Sequence, residues 1–211
     1  MYTSIKKNEC LICFQKLYSG MNLKEFFYYD DVICCKCRHE LIIHKQTLKI
    51  GNLEIESLYL YEGIIRNLLL QYKELYDEAL APVFLYTMIK RIQREYQDYI
   101  LIPIPSAKTK VAERGFNHIE EIFSQSKLPI YSVLEKTEEK QQKTLNMKER
   151  SKISFHLKEK DSWRGKKVLL IDDVITSGNS MIQSYNLLHE NTSKIKGFAI
   201  CYHERLLKEV L

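Results

Sequence analysis

An α/β fold, with helices on both faces of a parallel sheet and a small cysteine-rich module ahead of it, is what the sequence predicts. Three observations lead there. Between residues 61 and 211, short unbroken apolar segments alternate with stretches of helical periodicity, the pattern made by strands buried on both faces. Five of the six cysteines fall in the first 37 residues, which marks a local need for thiols at that end. The 211 residues are 45% hydrophobic and 28% charged with 7 Gly and 4 Pro, so the chain can bury a core and is neither collagen-like nor of low complexity.

The amino-terminal module, residues 1–45, is read first. Cys10 and Cys13 form one C-x-x-C knuckle, and after twenty residues Cys34 and Cys37 form a second. Two thiolates two residues apart in a tight turn can face one ion, so the pair of knuckles suits a tetrahedral structural Zn²⁺. The alternatives are disulfides, which a reducing compartment disfavours, or unligated buried thiols. Cys35 can replace a neighbour only by remodelling the turn, and His39 and His44 are secondary ligand candidates. So small a ribbon has no core of its own, and a metal would supply its folding energy. Between the knuckles, Phe26, Phe27, Tyr28 and Tyr29 either pack beside the metal or stack on single-stranded bases.

Residues 46–60 read as connecting strands, with alternation at Leu53-Glu54-Ile55-Glu56 that suits a hairpin or edge strands. The α/β domain occupies 61–211. Ile64, Ile65, Leu68, Leu69, Tyr72, Leu75 and Tyr76 recur at three and four, predicting one apolar helix face. A second helix is expected from Asp77, with Pro82 early enough to be tolerated. Then come a strand at 99–105, a helix over 111–126, a short strand at 130–134 and a basic run at 135–152. A buried strand at 168–171, a helix at 179–190 and a strand at 195–202 complete the order.

In a parallel sheet, ligands bind beyond the carboxyl ends of the strands. There the strand from Val168 ends in Asp172 and Asp173, followed by Thr176, Ser177, Gly178, Asn179 and Ser180 at a helix start. Free N–H groups, the helix dipole and the hydroxyls favour a phosphate, and Gly178 allows close backbone approach. Adjacent carboxylates repel a second phosphate but accept hydrogen bonds from two sugar hydroxyls, so the chemistry fits a ribose 5-phosphate. There is neither a P-loop nor a Rossmann fingerprint.

Residues 168–180 resemble the phosphoribosyl pyrophosphate (PRPP) motif of the type I phosphoribosyltransferases. That resemblance implies a type I phosphoribosyltransferase-like parallel sheet flanked by helices, with Asp172 and Asp173 on the ribose and Thr176 to Ser180 on the 5-phosphate. Ile102-Pro103-Ile104-Pro105-Ser106, Lys108 and Arg114-Gly115-Phe116-Asn117 are similar to signatures of the ComF family of competence proteins. Gln142, Leu145, Glu149 and Arg150, the opening-helix residues Tyr61, Gly63 and Arg66, and the cysteine ribbon match that family as well. Ile153 stands where the family usually has Asn, and Ser106 where it often has Leu. Physically, Ser106 and Lys108 are placed to meet a pyrophosphate and Arg114 to add a charge-assisted contact, although Lys108, and less so Arg114, also read as solvated cations. Mg²⁺ is expected to arrive with the pyrophosphate.

Three functions remain open at this stage. The resemblance implies a PRPP-binding competence protein acting in DNA uptake and natural transformation, handling single-stranded DNA beside a ComFA-type helicase. An active phosphoribosyltransferase needs a base-binding hood that the sequence does not display, with Glu62, Lys73 and Glu120 as candidate acids or bases. A PRPP-sensing regulator needs the site without turnover. The net charge of +5 favours anionic partners without naming them. The basic run with Lys136, Lys140, Lys143, Lys148, Arg150 and Lys152 reads as a loop over the site, a nucleic-acid surface or a solvated face. The longest apolar stretches, 64–70 and 99–105, fall far short of the ~20 residues that span a bilayer, and the first residues carry no apolar leader core, so a cytoplasmic protein without membrane insertion is expected.

Overall fold

The computed structural model describes residues 9–17, 32–137, 155–158 and 161–208. Phe26 to Tyr29, the PRPP-loop candidates Gln142, Leu145, Glu149, Arg150 and Ile153, and the cations Lys140, Lys143, Lys148 and Lys152 lie outside these residues.

Five strands form the sheet: β1 (Gln46–Ile50), β2 (Leu53–Leu60), β3 (Tyr99–Pro103), β6 (Lys167–Ile175) and β7 (Lys194–Tyr202), in the order β1-β2-β7-β6-β3. Only the β1–β2 hairpin is antiparallel; β2 with β7, β7 with β6 and β6 with β3 are parallel. The alternating segment at 53–60 is therefore an inner strand of the sheet, with Ile55 opposite Gly197, and β1 is the edge.

Side chains of a strand alternate between faces, so each strand feeds two cores. Leu101, Leu169, Ile171, Phe198 and Ile200 join one cluster, while Ile100, Ile102, Val168, Leu170 and Ala199 join the other. The first face is covered by α2 (Gly63–Glu74), a 3₁₀ segment (Glu78–Phe84), α3 (Ile89–Glu95) and α5 (His118–Ser124). Trp163, Met181 and Leu188 cover the second, the last two from α6 (Asn179–Leu188).

Three predicted helices differ in the structure. α2 buries Ile65, Leu68, Leu69 and Tyr72 as expected, but it ends at Glu74, and Tyr76 takes a positive φ of 58°. Leu75 and Tyr76 are accordingly exposed rather than part of the apolar face. The helix expected from Asp77 is a 3₁₀ segment, because Pro82 sits too deep in it to tolerate the missing N–H; Asp77 accepts a 2.8 Å bond from Gln71 Nε2 instead of capping. The helix expected over 111–126 is two. Gly115, at φ 85°, ends α4 (Lys108–Arg114), and Asn117 caps α5 by accepting the Ile119 and Glu120 amides.

The strand expected at 130–134 begins at Leu134. β4 (Leu134–Lys136) pairs antiparallel with β5 (Phe155–Leu157), while Ile130 makes only a bridge to Leu101. At the amino end, α1 (Cys35–Glu40) follows the second knuckle, and Leu17, Ile33 and Leu41 are buried in the same cluster as Leu58, Tyr59 and Ile65. The ribbon thus shares the core of the sheet's first face. α7 (Arg205–Lys208) closes the described chain. Among the described residues no helix is long and apolar enough to cross a membrane.

Candidate functional site

β6 does not end at Ile171 as the apolar run suggested. It continues to Ile175, with Asp172 opposite Ala199 and Val174 opposite Cys201, so both acids are strand residues. Strand alternation then separates them. Asp173 falls on the face covered by α2 and α5, where its Oδ2 lies 2.5 Å from Lys73 Nζ and 3.0 Å from His118 Nε2. Asp173 Oδ1 accepts the Val174 amide at 2.7 Å, and Asp172 Oδ1 accepts the Asp173 amide at 2.9 Å.

The electrostatics diverge accordingly. Burial raises the pKa of Asp173, but the His118 hydrogen bond and the Lys73 charge outweigh it and hold the carboxyl well below the ordinary range. Burial and then the neighbouring Asp173 charge push Asp172 well above that range. Burial works against the Lys73 ammonium, yet Asp173 keeps its pKa raised. The stability contributed by the depressed Asp173 is present above the ordinary aspartate pKa of about 3.9 and is lost as pH falls through the folded-state value; Asp172 works in the opposite sense. Unfolding measured across the acid range is expected to show a shallower loss of stability below about pH 4 in Asp173→Asn than in the wild type.

A cavity of about 350 Å³ opens over this strand end. Asp172, Asp173 and Ser180 line one side, Ser106, Lys110 and Arg114 another, and Lys73, Glu74, His118 and Lys136 complete the polar wall. Of the residues singled out from sequence, the structure therefore gathers Asp172, Asp173, Ser180, Ser106, Arg114, Lys73 and Lys136 around one space, and Thr176, Ser177, Gly178, Asn179 and Lys108 are not on its lining. Arg114 is not a solvated cation: it is 7% exposed, its Nε donates to the Lys73 carbonyl at 3.0 Å, and its buried Nη1 has no partner among the described residues.

Lys108 is placed elsewhere. Its ammonium pairs with Glu135 on β4 at 3.2 Å, a carboxylate also met by Lys158 at 3.3 Å and His156 at 3.5 Å. It lines a neighbouring cavity of about 340 Å³ that shares Pro105, Ser106 and Lys136 with the first. Thr176 and Ser177 are exposed on the turn before α6, Gly178 is its N-cap at φ 73°, and Asn179, also exposed, opens the helix. What crowds Gly178 is the Ile50 side chain of β1.

His118 went unnoticed in the sequence, though it directly follows Arg114-Gly115-Phe116-Asn117, and Lys73 directly follows Tyr72 on the buried face of α2. Only the approach of α2 and α5 to β6 reveals that both serve Asp173.

The second constellation is the thiol cluster. The Sγ atoms of Cys10, Cys13, Cys34 and Cys37 all lie within 4.8 Å of one another, with Cys13 and Cys34 at 3.6 Å. Disulfide sulfurs sit at ~2.05 Å, whereas four thiolates about an ion at ~2.3 Å stand about 3.8 Å apart, so the spacing is that of a tetrahedral metal centre. Burial disfavours the Cys10 thiolate, but the amides of Cys13, Cys34 and Ile12 outweigh it and bring the pKa down to about 7. Cys35, His39 and His44 are not part of the cluster.

Residues 111–210 match the model of the phosphoribosyl transferase domain family. The competence protein ComFC of Streptococcus pneumoniae (strain ATCC BAA-255 / R6) is 29% identical over 147 residues, 68% of this chain and 66% of that protein. The competence protein ComFC of Bacillus subtilis (strain 168) is 27% identical over 209 residues, 84% of this chain and 87% of that one. Among solved structures, hypoxanthine phosphoribosyl transferase of Trypanosoma cruzi superposes with a TM-score of 0.40 at 11% identity, over 59% of this chain and 74% of that one.

Proposed function

Taking the chain as a ComFC-like protein with a phosphoribosyl transferase domain and a cysteine ribbon, we propose that it is a PRPP-binding competence protein of the cytoplasm, acting in DNA uptake during natural transformation. The observation that carries this reading is the single cavity where an acid pair and Ser180 face Ser106, Lys110 and Arg114. There the ribose hydroxyls meet the acids, the 5-phosphate meets Ser180 and the exposed turn from Thr176 beside the cavity, and the pyrophosphate with its Mg²⁺ meets the loop at Ser106 and the cations beyond it. The four cysteines hold a structural Zn²⁺ with no open position for chemistry. Single-stranded DNA and a ComFA-type helicase are the partners, on the strength of the likeness to the ComFC proteins and the net positive charge.

Calorimetric titration of PRPP with Mg²⁺ into the zinc-loaded protein tests the site. Wild type is expected to bind, and Asp172→Asn to bind about 10- to 100-fold more weakly, the cost of leaving a sugar hydroxyl imperfectly paired in a desolvated site. Absence of binding by the wild type would end this reading. Release of pyrophosphate with a nitrogen acceptor would instead make the protein an active transferase.

A further inference from the structure

The cavity of about 340 Å³ next to the acid pair's has a lining chemistry of its own. It is walled by the end of the edge strand β3, by α4 and α5, and by the β4–β5 hairpin, and neither acid of β6 nor Ser180 is on its lining. Three kinds of group face it. Pro103, Pro105, Val111 and Leu134 give apolar walls. Lys108 and Lys158 are both held by Glu135, at 3.2 and 3.3 Å, while Lys136 forms no ion pair among the described residues. Three ammonium groups thus stand about one carboxylate, and each keeps N–H donors beyond those that Glu135 takes. The third group is the half-buried Glu120, whose Oε1 receives Asn117 Nδ2 at 2.7 Å and the Ser132 hydroxyl. Its Oε2 receives no hydrogen bond among the described residues and is left as an acceptor.

Apolar walls with a few convergent polar groups suit a small ligand. The walls ask for an uncharged body, the ammonium groups for a phosphate, and Glu120 for an N–H donor. A nucleobase that carries an amino group, together with its sugar phosphate, supplies all three; thymine presents a carbonyl oxygen where cytosine has the amino group. We propose that this cavity is a nucleotide site, in which an amino-bearing base packs on Pro105, Val111 and Leu134 and donates to Glu120, while its phosphate meets Lys108, Lys136 and Lys158. It is a second site, on the other side of the Pro105–Ser106 loop from the acid pair, and it does not rest on the PRPP reading. A free nucleotide and a unit of a single DNA strand share this chemistry.

The test is calorimetric titration of the zinc-loaded protein with deoxycytidine monophosphate (dCMP), thymidine monophosphate (dTMP) and deoxycytidine, for the wild type, Glu120→Gln, Lys158→Met and Asp172→Asn. Wild type is expected to bind dCMP about tenfold more tightly than dTMP, because thymine leaves a desolvated carboxylate facing a carbonyl. In Glu120→Gln that preference is expected to vanish, since a rotating amide offers either a donor or an acceptor. Lys158→Met is expected to weaken dCMP about three- to tenfold and to leave deoxycytidine unchanged, since only the phosphate meets the ammonium. Asp172→Asn is expected to bind dCMP as the wild type does. The same comparisons with an oligodeoxycytidylate and an oligothymidylate distinguish the source: tighter binding of the oligonucleotide, with the same dependence on Glu120 and Lys158, assigns the site to a DNA strand, and tighter binding of dCMP to a free nucleotide. Affinity that falls in Asp172→Asn and not in Lys158→Met would put the nucleotide in the PRPP cavity and overturn the proposal. So would equal affinity for the cytosine and thymine probes, or binding of none of them by the wild type. The Lys158 side chain is 38% exposed, so its variant is expected to melt like the wild type and to decide the matter even where Glu120→Gln does not fold. Failure of the wild type to bind PRPP would end the functional reading and leave these titrations untouched.

Discussion

Stripping the metal with a chelator, or replacing Cys37 by Ser, is expected to unfold the amino-terminal ribbon and lower the melting temperature of the whole protein. Cys10, Cys34 and Cys37 are at most 4% exposed, and Leu17, Ile33 and Leu41 belong to the cluster that also holds Leu58, Tyr59 and Ile65. So small a ribbon holds no core of its own, and the ~10–16 kcal/mol by which zinc binds comparable four-ligand peptides near neutral pH is expected to be the main term holding it together. Its loss also uncovers one flank of the sheet's first core. Metal content measured by mass spectrometry should be one zinc per chain, falling in Cys37→Ser and unchanged in Cys35→Ser, whose thiol stands outside the cluster. Amide exchange should then show protection lost across 32–44 and weakened in β2. Full protection in the metal-free protein would mean that packing alone folds the ribbon.

The second large effect is expected at Gly178. Substitution by Ala is expected to cost about 2–4 kcal/mol, which combines ~1–2 kcal/mol for a side chain in the left-handed region with ~1–2 for displacing a packed neighbour. The backbone sits at φ 73°, and a Cβ built there meets the Ile50 side chain. Gly115 supplies the comparison, since its φ is 85° but nothing lies within 4 Å of a built Cβ. Gly115→Ala should therefore show only the backbone part, and Ile50→Ala in the Gly178→Ala background should remove the steric part. Denaturant unfolding of the four proteins checks this, and equal losses at the two glycines would mean that Ile50 yields freely. Because Gly178 caps α6 beside Ser177 and Ser180, PRPP affinity is expected to fall in Gly178→Ala and to stay near the wild-type value in Gly115→Ala.

Gly178 also shows how the fold can add a second demand on a residue. A glycine before a helix start suggested close approach of a phosphate, whereas the structure adds a neighbour from β1, a strand far away in the chain. Similarly, Gly115 and Asn117 are ordinary stop and start signals, and the two short helices they separate read as one only when those signals are passed over. Pro82 limits its segment to 3₁₀ geometry. Lys108, expected in a loop, opens α4 instead, and its direction depends on Glu135, contributed by a hairpin whose register no local pattern reveals.

Local chemistry determined a good deal by itself. Apolar runs too short for anything but buried strands specified an α/β domain, and two C-x-x-C knuckles specified four thiols that meet, because turn geometry acts within a few residues. Adjacent Asp172 and Asp173 were bound to point to opposite sides once placed in a strand, since the side-chain period is two. Which of them would be neutralised was decided only when α2 and α5 packed on one face of β6 and brought Lys73 and His118 to Asp173. A buried charge takes its state from the groups that folding sets within a few ångströms, and those groups come from parts of the chain that no local pattern links.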